Sequence, residues 1–477
     1  MPIHRQAVTP VFVVQLAMLL VSARLAAAPP IVANEDRIRP YAANPWYWQY
    51  QGQPVLLLGG SDDDNLFQIP QLEQHLDAIA AAGGNYIRNS MSDRRDKGFE
   101  IHSFRQLDDG RYDLEQWNPE YWQRFANLLE WTYERGIIVQ IEVWDRFDYA
   151  QHNWPPNPYH PKNNVNYTAA ESGFADEYPE HAGRNRQPFF FTTPKQRNNK
   201  VVLKYQQRFV DRILDLALPY PHVLYCIDNE TSGDEAWAVY WAEYIERRAK
   251  AAGVDLFITE MWDAHDLKSA QHRATFDHPE RFAFVDISQN NHQKGETHWD
   301  NFQWTRDYLS QRPRPINTVK TYGADGNKFG HTDRDGIERW WRHLIGGAAA
   351  VRFHRPDSGL GFTPKAEASI RAARQLASAV PFWELAPVNH LLRDRSANEA
   401  FAAAKAGRLC VVYFTDGGSV EVDLRSFPRD VQARWLEIET GRWRDPHALT
   451  GSAWTRISPP GPGHWAIAIT SQTSVAR

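Results

Sequence analysis

Between residues 54 and 380 this chain repeats one pattern eight times: a short apolar run, then a stretch with helical spacing or a loop. The runs cover residues 54–60, 85–89, 137–144, 222–230, 256–262, 284–289, 315–322 and 348–354. The helical stretches between them end on breakers: 119–135 stops at Gly136, 201–218 runs into Pro219, and 235–252 stops at Gly253. Residues 70–82 and 364–379 have the same spacing. Strands that alternate with helices make a parallel sheet, and eight units imply closure into a (β/α)8 barrel. The spacing therefore predicts an α/β fold with the barrel over residues 29–385.

After residue 386 the pattern changes to short alternating runs at 409–414, 419–424, 433–438, 453–457 and 464–469. Gly417-Gly418, Thr440-Gly441 and Pro459-Pro460-Gly461 separate them. This predicts a small antiparallel β-sandwich over residues 386–477. At the other end, His4 and Arg5 precede an apolar run from Val11 to Val21, and Ala26-Ala27-Ala28 follows. Residues 1–28 thus read as an export signal, too short to span a membrane, and the protein is expected to be secreted or periplasmic.

Composition narrows the classes. Net charge is −5 with both signs mixed, which lacks the clustered Lys and Arg of a nucleic-acid binder. The two cysteines, Cys226 and Cys410, fall in apolar runs and read as buried thiols. No HExxH, paired CxxC or phosphate-cradling glycine loop occurs, so neither metal nor cofactor is expected. The sequence sets no oligomeric state. Nineteen Trp, 19 Tyr and 23 Phe supply many faces of the kind that stack on sugar rings or fill cores.

In a barrel, chemistry sits at the C-terminal ends of the strands. There this sequence concentrates charge. The fourth run ends in Asp228-Asn229-Glu230, and the third carries Glu142, Trp144 and Asp145. The fifth ends in Glu260-Met261-Trp262-Asp263, and the sixth carries Asp286, Ser288 and Asn290 before His292. Lys320 and Tyr322 lie on the seventh; Arg352 and His354, followed by Arg355, lie on the eighth. The first leads into Asp62-Asp63-Asp64, and the second ends in Arg88-Asn89. Insertions at 93–118 and 146–199 follow the second and third runs and are expected to wall a cleft.

These residues carry a resemblance. Asn229-Glu230 after the fourth strand, Arg88-Asn89 after the second, and the opening Asn44-Pro45-Trp46 through Gly59-Gly60 resemble secreted bacterial glycoside hydrolases of the clan-A barrel superfamily. Val412-Tyr413-Phe414, Trp435, Thr440-Gly441-Arg442-Trp443 and Trp465 resemble the collagen-binding-type sandwich often fused to such barrels. The resemblance implies cleavage of a poly- or oligosaccharide, with Glu230 as general acid kept protonated by burial. It implies a second carboxylate, for which Glu260 and Asp286 rank first and Glu142 next. Substrate contacts are expected from Asn229, Arg88, Asp63, Asp145, Asn290, His292, Lys320, Tyr322, His354 and Arg355. Trp144 and Trp262 are expected as core or as sugar platforms.

One departure stands out. Where the superfamily pattern puts a nucleophilic Glu after strand seven, this chain has Lys320-Thr321. The cations Lys320, Arg352, His354 and Arg355 suggest an anionic sugar, or pairing with the chain's own Asp228 and Glu142. Two alternatives stay open: a polysaccharide lyase using Lys320, Tyr322 or His354 as base, and a carbohydrate-binding relic without turnover.

Overall fold

The computed structural model describes residues 32–471, so the export signal expected over residues 1–28 lies outside the described residues. Eight parallel strands stand where the sequence expects them. They are β1 (Leu57–Gly60), β2 (Tyr86–Ser90), β3 (Ile138–Asp145), β4 (Val223–Asn229), β5 (Ile258–Thr259), β6 (Val285–Asp286), β7 (Ile316–Thr321) and β8 (Ala350–Phe353). Each is followed by a helix: α1 (Leu72–Ala81), α2 (Pro119–Glu134), α3 (Lys200–Ala217), α4 (Glu235–Ala251), α5 (Ala270–Phe276), α6 (Gly295–Leu309), α7 (Asp333–Ile345) and α8 (Pro364–Ala379).

The strands pair in the orders β5-β4-β3-β2 and β6-β7-β8-β1. The two halves meet where the Asn85 amide donates to the Leu58 carbonyl at 2.9 Å and the Leu58 amide donates to Asn85 Oδ1 at 2.9 Å. Gly59 permits that approach, because a Cβ there would stand 1.8 Å from the Tyr86 carbonyl oxygen. Alternation along β3 shows how the barrel is filled. Ile141 and Val143 pack outward with Phe209, Val210 and Ile213 of α3. Gln140 points inward and accepts from Tyr86 OH at 2.6 Å, and Asn317 of β7 donates to Tyr86 OH at 3.2 Å. Trp48 closes the floor by donating to Asn317 Oδ1 at 2.9 Å.

The first apolar run divides into two elements. Gln53–Val55 pairs antiparallel with Trp48–Tyr50 through a turn with positive φ at Gln51 and Gly52, and only Leu57–Gly60 enters the barrel. The fifth and sixth runs yield only two ladder residues each. Glu260 and the 3-10 turn Ser288–His292 take up the rest.

The antiparallel strands after residue 385 form two sheets. One runs Ala386–Pro387, Ala400–Lys405, Leu409–Phe414, Trp465–Ser471, Asp430–Glu437, Arg442–Trp443, with His447–Thr450 also on Asp430–Glu437; the other runs Leu392–Arg393, Val420–Asp423, Trp454–Ile457. Ala400–Lys405 has no counterpart among the expected strands, because Phe401-Ala402-Ala403-Ala404 lacks a polar alternation. Both its faces are covered. Ala400, Ala402 and Ala404 face the core between the sheets, while Phe401 and Ala403 join the barrel-side core. Phe401 meets Trp299 of α6 at 4.9 Å between ring centroids, and Tyr413 stacks on Trp341 of α7 at 5.6 Å. Cys226 and Cys410 are buried free thiols. Among the described residues, no helix is long and apolar enough to cross a membrane.

Candidate active site

Glu230 follows the last residue of β4 with φ at +46°, a left-handed conformation that a non-glycine residue adopts at a cost. The kink turns its carboxylate across the barrel mouth to β7. Lys320 Nζ lies 2.9 Å from Glu230 Oε1, Tyr322 OH donates to the same oxygen at 2.5 Å, and Gln289 Nε2 donates at 3.0 Å. The side chain stays 17% exposed. Burial acts to raise this carboxyl, but the Lys320 charge and the Tyr322 hydrogen bond outweigh it and hold the group well below the usual carboxylate range. The expected protonated acid is therefore corrected: Glu230 is ionised, because the cation on β7 is in contact with it.

Beneath Glu230 lies a buried ionic layer. Lys320 also donates to Asn229 Oδ1, and Asn229 Nδ2 donates to Asp145 Oδ2 at 2.8 Å. Arg94, from the first insertion, sits 3.3 Å from Asp145 and 3.6 Å from Asp148. Arg88 pairs with Asp64 and, at 2.5 Å, with Glu142. Arg355 reaches Asp64 at 3.0 Å, and His354 Nδ1 lies 3.7 Å from it. Burial favours the neutral Asp64 carboxyl, yet Arg88 and Arg355 keep it well below its ordinary range. For His354, burial dominates and lowers the imidazole well below its ordinary value, so the ring is neutral. Cationic residues of the seventh and eighth strands thus pair internally, but not with the expected partners. Lys320 takes Glu230 and Arg355 takes Asp64. Arg352 donates to Ser61 Oγ at 3.1 Å and to the Val319 carbonyl at 2.6 Å.

Several expected site residues stand elsewhere. Trp144 and Trp262 are both buried. Trp144 lies among Phe189, Phe209, Trp237 and Trp241, and Trp262 donates to Thr275 at 2.7 Å; neither offers a face to a sugar. Glu260 turns back onto its own strand ends, accepting from the amides of Asp228 at 3.0 Å and Met261 at 2.9 Å. Burial and the neighbouring Asp228 raise its carboxyl well above the usual range. Asp286 is fully buried in the barrel, accepts from the Ser288 amide at 2.8 Å, and is pushed up to about 6 by burial. Glu142 is sealed against Arg88. Asn290 donates to the His298 carbonyl at 2.9 Å, behind β6. Asp63 faces Lys97 at 2.5 Å, while its neighbour Asp64 holds the central position.

The mouth is also lined by His292, an expected contact, and by residues whose roles the strand pattern did not reveal. Strand alternation, which puts Asp286, Ser288 and Asn290 on one face, leaves Gln289 off that face, but the 3-10 turn Ser288–His292 breaks the alternation and swings Gln289 onto Glu230. His292 stacks on His265 at 3.7 Å and lies 4.9 Å from Tyr322. Phe329, in the loop after β7, is 41% exposed and sits 5.1 Å from the Tyr322 ring. Asp263, just after β5, is half-buried beside Glu230. Of these, His292 was an expected substrate contact; Asp263 had a strand-end position as a signal, and Gln289 and Phe329 had none. The insertions wall the other side, where Arg146 donates to Thr231 at 2.6 Å and Ser232 to the Gly183 carbonyl at 2.7 Å. Among the described residues, no group of three or more His, Cys, Asp or Glu is arranged to hold a metal ion.

A separate cleft of about 610 Å3 lies between α7, α8 and the antiparallel sheets, and its lining shares no residue with the ring around Glu230. Two ion pairs lie in it, Arg334 with Asp416 at 2.7 Å and Lys365 with Asp333 at 2.6 Å.

No family model matches this chain, and its sequence matches no curated protein. Solved structures do share its fold. A glycoside hydrolase family 5 protein from Bacteroides vulgatus ATCC 8482 superposes with a TM-score of 0.64 at 12% identity, over 94% of this chain and 96% of that one. A second glycoside hydrolase gives 0.61 at 11% identity, over 92% and 98%. A gamma-CGTase from alkalophilic Bacillus clarkii gives 0.54 at 12% identity, over 92% and 72%. At these identities the likeness establishes the architecture: a (β/α)8 barrel followed by an antiparallel β-sandwich.

Proposed function

We propose that this chain is an exported glycoside hydrolase that cleaves a poly- or oligosaccharide at the mouth of the barrel, with Glu230 as its central carboxylate. One observation carries the reading: a part-exposed Glu at the end of β4, held in a strained backbone conformation and oriented by Lys320, Tyr322 and Gln289. Strain of this kind is retained where it serves a site. The barrels that share the fold include glycoside hydrolases, which supports the substrate class by analogy.

A neutral sugar fits better than an anionic one. The cations that suggested an anion are engaged by Glu230, Asp64, Ser61 and the Val319 carbonyl. The same pairing removes the free arginine clamp that a lyase would need to hold a uronate. A second reading has a specific observation in its favour. Lys320 occupies the strand-seven position of the second carboxylate and neutralises Glu230, as in a binding protein without turnover.

The test is a product screen of residues 29–477 on a broad panel of plant, algal and microbial glycans, with Glu230→Gln as control. Fragments that have gained a water, absent from the control, are expected. Fragments lacking that water would replace the hydrolase with a lyase. Glycan binding without any product would leave the binding-protein reading.

A further inference from the structure

Asp263 differs from every other carboxylate around the mouth. Asp64, Glu142, Asp145, Glu230 and Glu260 each accept hydrogen bonds or pair with cations. Among the described residues, the Asp263 carboxylate has no hydrogen-bond or ion-pair partner. Its position is nonetheless fixed. Thr231, the residue after Glu230, forms a parallel bridge with Trp262. The Thr231 amide donates to the Met261 carbonyl at 2.8 Å, and the Asp263 amide donates to the Thr231 carbonyl at 2.8 Å. Asp263 therefore stands one bridge away from Glu230. Gly183 leaves it space: a Cβ there would lie 3.4 Å from Asp263 Oδ2. That loop is itself pinned by Ser232 at 2.7 Å and by Arg146, which donates to Asn185 at 2.6 Å.

We propose that Asp263 is the general acid of this site and Glu230 the attacking carboxylate, an assignment that rests on the hydrolase reading. In the first step a Glu230 oxygen bonds to the anomeric carbon and the bond to the glycosidic oxygen breaks. Its electron pair leaves with that oxygen, which takes the Asp263 proton. In the second step the Asp263 carboxylate takes a proton from water. The water oxygen bonds to the anomeric carbon and Glu230 departs as carboxylate, restoring both groups.

The electrostatics agree with the geometry. Burial, and then the negative charge of Glu230, push the Asp263 carboxyl up to about 6, against Lys320 and Arg146. Glu230 beside it is held ionised. Two carboxyls driven in opposite directions are what an acid and a nucleophile require. Esterifying Glu230 removes the charge that raises Asp263 and so favours the base role in the second step.

The experiment compares the parent, Asp263→Asn and Glu230→Gln on two sets of probes: a panel of neutral oligosaccharides, and glucosyl, mannosyl, galactosyl and xylosyl fluorides. Fluoride departs without a proton. Asp263→Asn is therefore expected to lose about 100- to 10,000-fold in kcat/KM on oligosaccharides and less than about fivefold on the fluoride. Retained fluoride cleavage also reports an intact fold. Asp263→Glu is expected to recover part of the oligosaccharide activity. Unimpaired Asp263→Asn, or equal losses on both probes without recovery in Asp263→Glu, would overturn the acid role while leaving the hydrolase standing. A parent that cleaves neither probe would overturn the hydrolase reading and this assignment with it.

Discussion

The mouth of the barrel and the interior of the sandwich are both tightly buried, yet they are built from opposite materials. Between the antiparallel sheets lie Ala400, Ala402, Val412, Phe414, Val420, Ile457, Trp465 and Ile467, with Cys410 the only titratable side chain in the cluster. Under the mouth lie Arg88, Glu142, Lys320, Arg352, Asp286 and Glu260, all buried. An apolar interior needs only complementary shapes. A buried ion costs several kcal/mol to desolvate, and its pairing often does no more than offset that. Stability therefore gives no reason for the barrel to prefer ions where the sandwich uses Val and Phe. The ions make sense as a scaffold that fixes Asn229 and Glu230 in place and sets their charge.

Glu230→Gln puts the strongest strain on this contrast. It removes the ionised carboxylate while keeping shape and hydrogen-bonding capacity. Turnover on the glycan found by the screen is expected to fall about ten-thousand-fold or more, about 5 kcal/mol in barrier height. The melting temperature should fall modestly, because buried Lys320 loses its counter-ion but keeps its bond to Asn229. A large loss of stability with modest loss of turnover would make Glu230 an architectural residue instead.

A second pair of variants separates the two interiors. Arg88→Met leaves Asp64 and Glu142 facing each other without their shared cation, at a cost of about 3–5 kcal/mol. Phe414→Ala in the sandwich opens a cavity and costs about 3–5 kcal/mol by a different route. Urea unfolding should show similar losses. Turnover per folded molecule should collapse only for Arg88→Met, since Phe414 touches nothing at the mouth. If Phe414→Ala also abolished turnover in the folded fraction, the sandwich would belong to the site.

Much of this arrangement was legible in the sequence because it follows from period and position. The eight runs and the breakers Gly136, Pro219 and Gly253 announce the barrel, and Asn229-Glu230 lies where barrel chemistry sits. What stayed hidden depends on geometry finer than alternation. The positive φ at Glu230 and the 3-10 turn that redirects Gln289 break the period-2 rule at the strand ends. Charge states were also out of reach. Burial alone would raise Glu230, and the contact with Lys320, helped by the Tyr322 hydrogen bond, reverses the sign. Glu260 and Asp286 looked equivalent to a second catalytic carboxylate. Both instead accept backbone amides inside the barrel, while Asp263, one bridge from Glu230, is the mouth carboxylate left unpaired among the described residues.

The neutral-pH cost of the ionic interior is measurable at Asp286. Burial raises its carboxyl from 3.8 to about 6. A carboxyl whose folded value lies above its unfolded value contributes stability in full below the unfolded value and loses it as pH rises through the folded one. Stability is therefore expected to fall between about pH 4 and pH 6 by roughly 3 kcal/mol from this residue. Asp286→Asn cannot ionise, so its unfolding free energy should lose that part of the slope and exceed the parent's near pH 7.5. Parallel pH profiles for the two proteins would show that the interior accommodates the charge without penalty.

Phe329 gives the smallest effect and the finest discrimination. It is the exposed aromatic of the mouth, 41% accessible, with its ring 5.1 Å from Tyr322 and 5.6 Å from His292. A large apolar ring left open beside the carboxylate suits the face of a sugar better than the buried Trp144 and Trp262 do. Phe329→Ala is expected to raise KM about five- to tenfold, about 1 kcal/mol, with kcat and melting temperature unchanged. Tyr322 should keep its bond to Glu230, because Phe329 packs on the Tyr322 ring and takes no part in that bond. A fall in kcat at constant KM would mean that Phe329 orients Tyr322, and through it Glu230, instead of meeting the substrate.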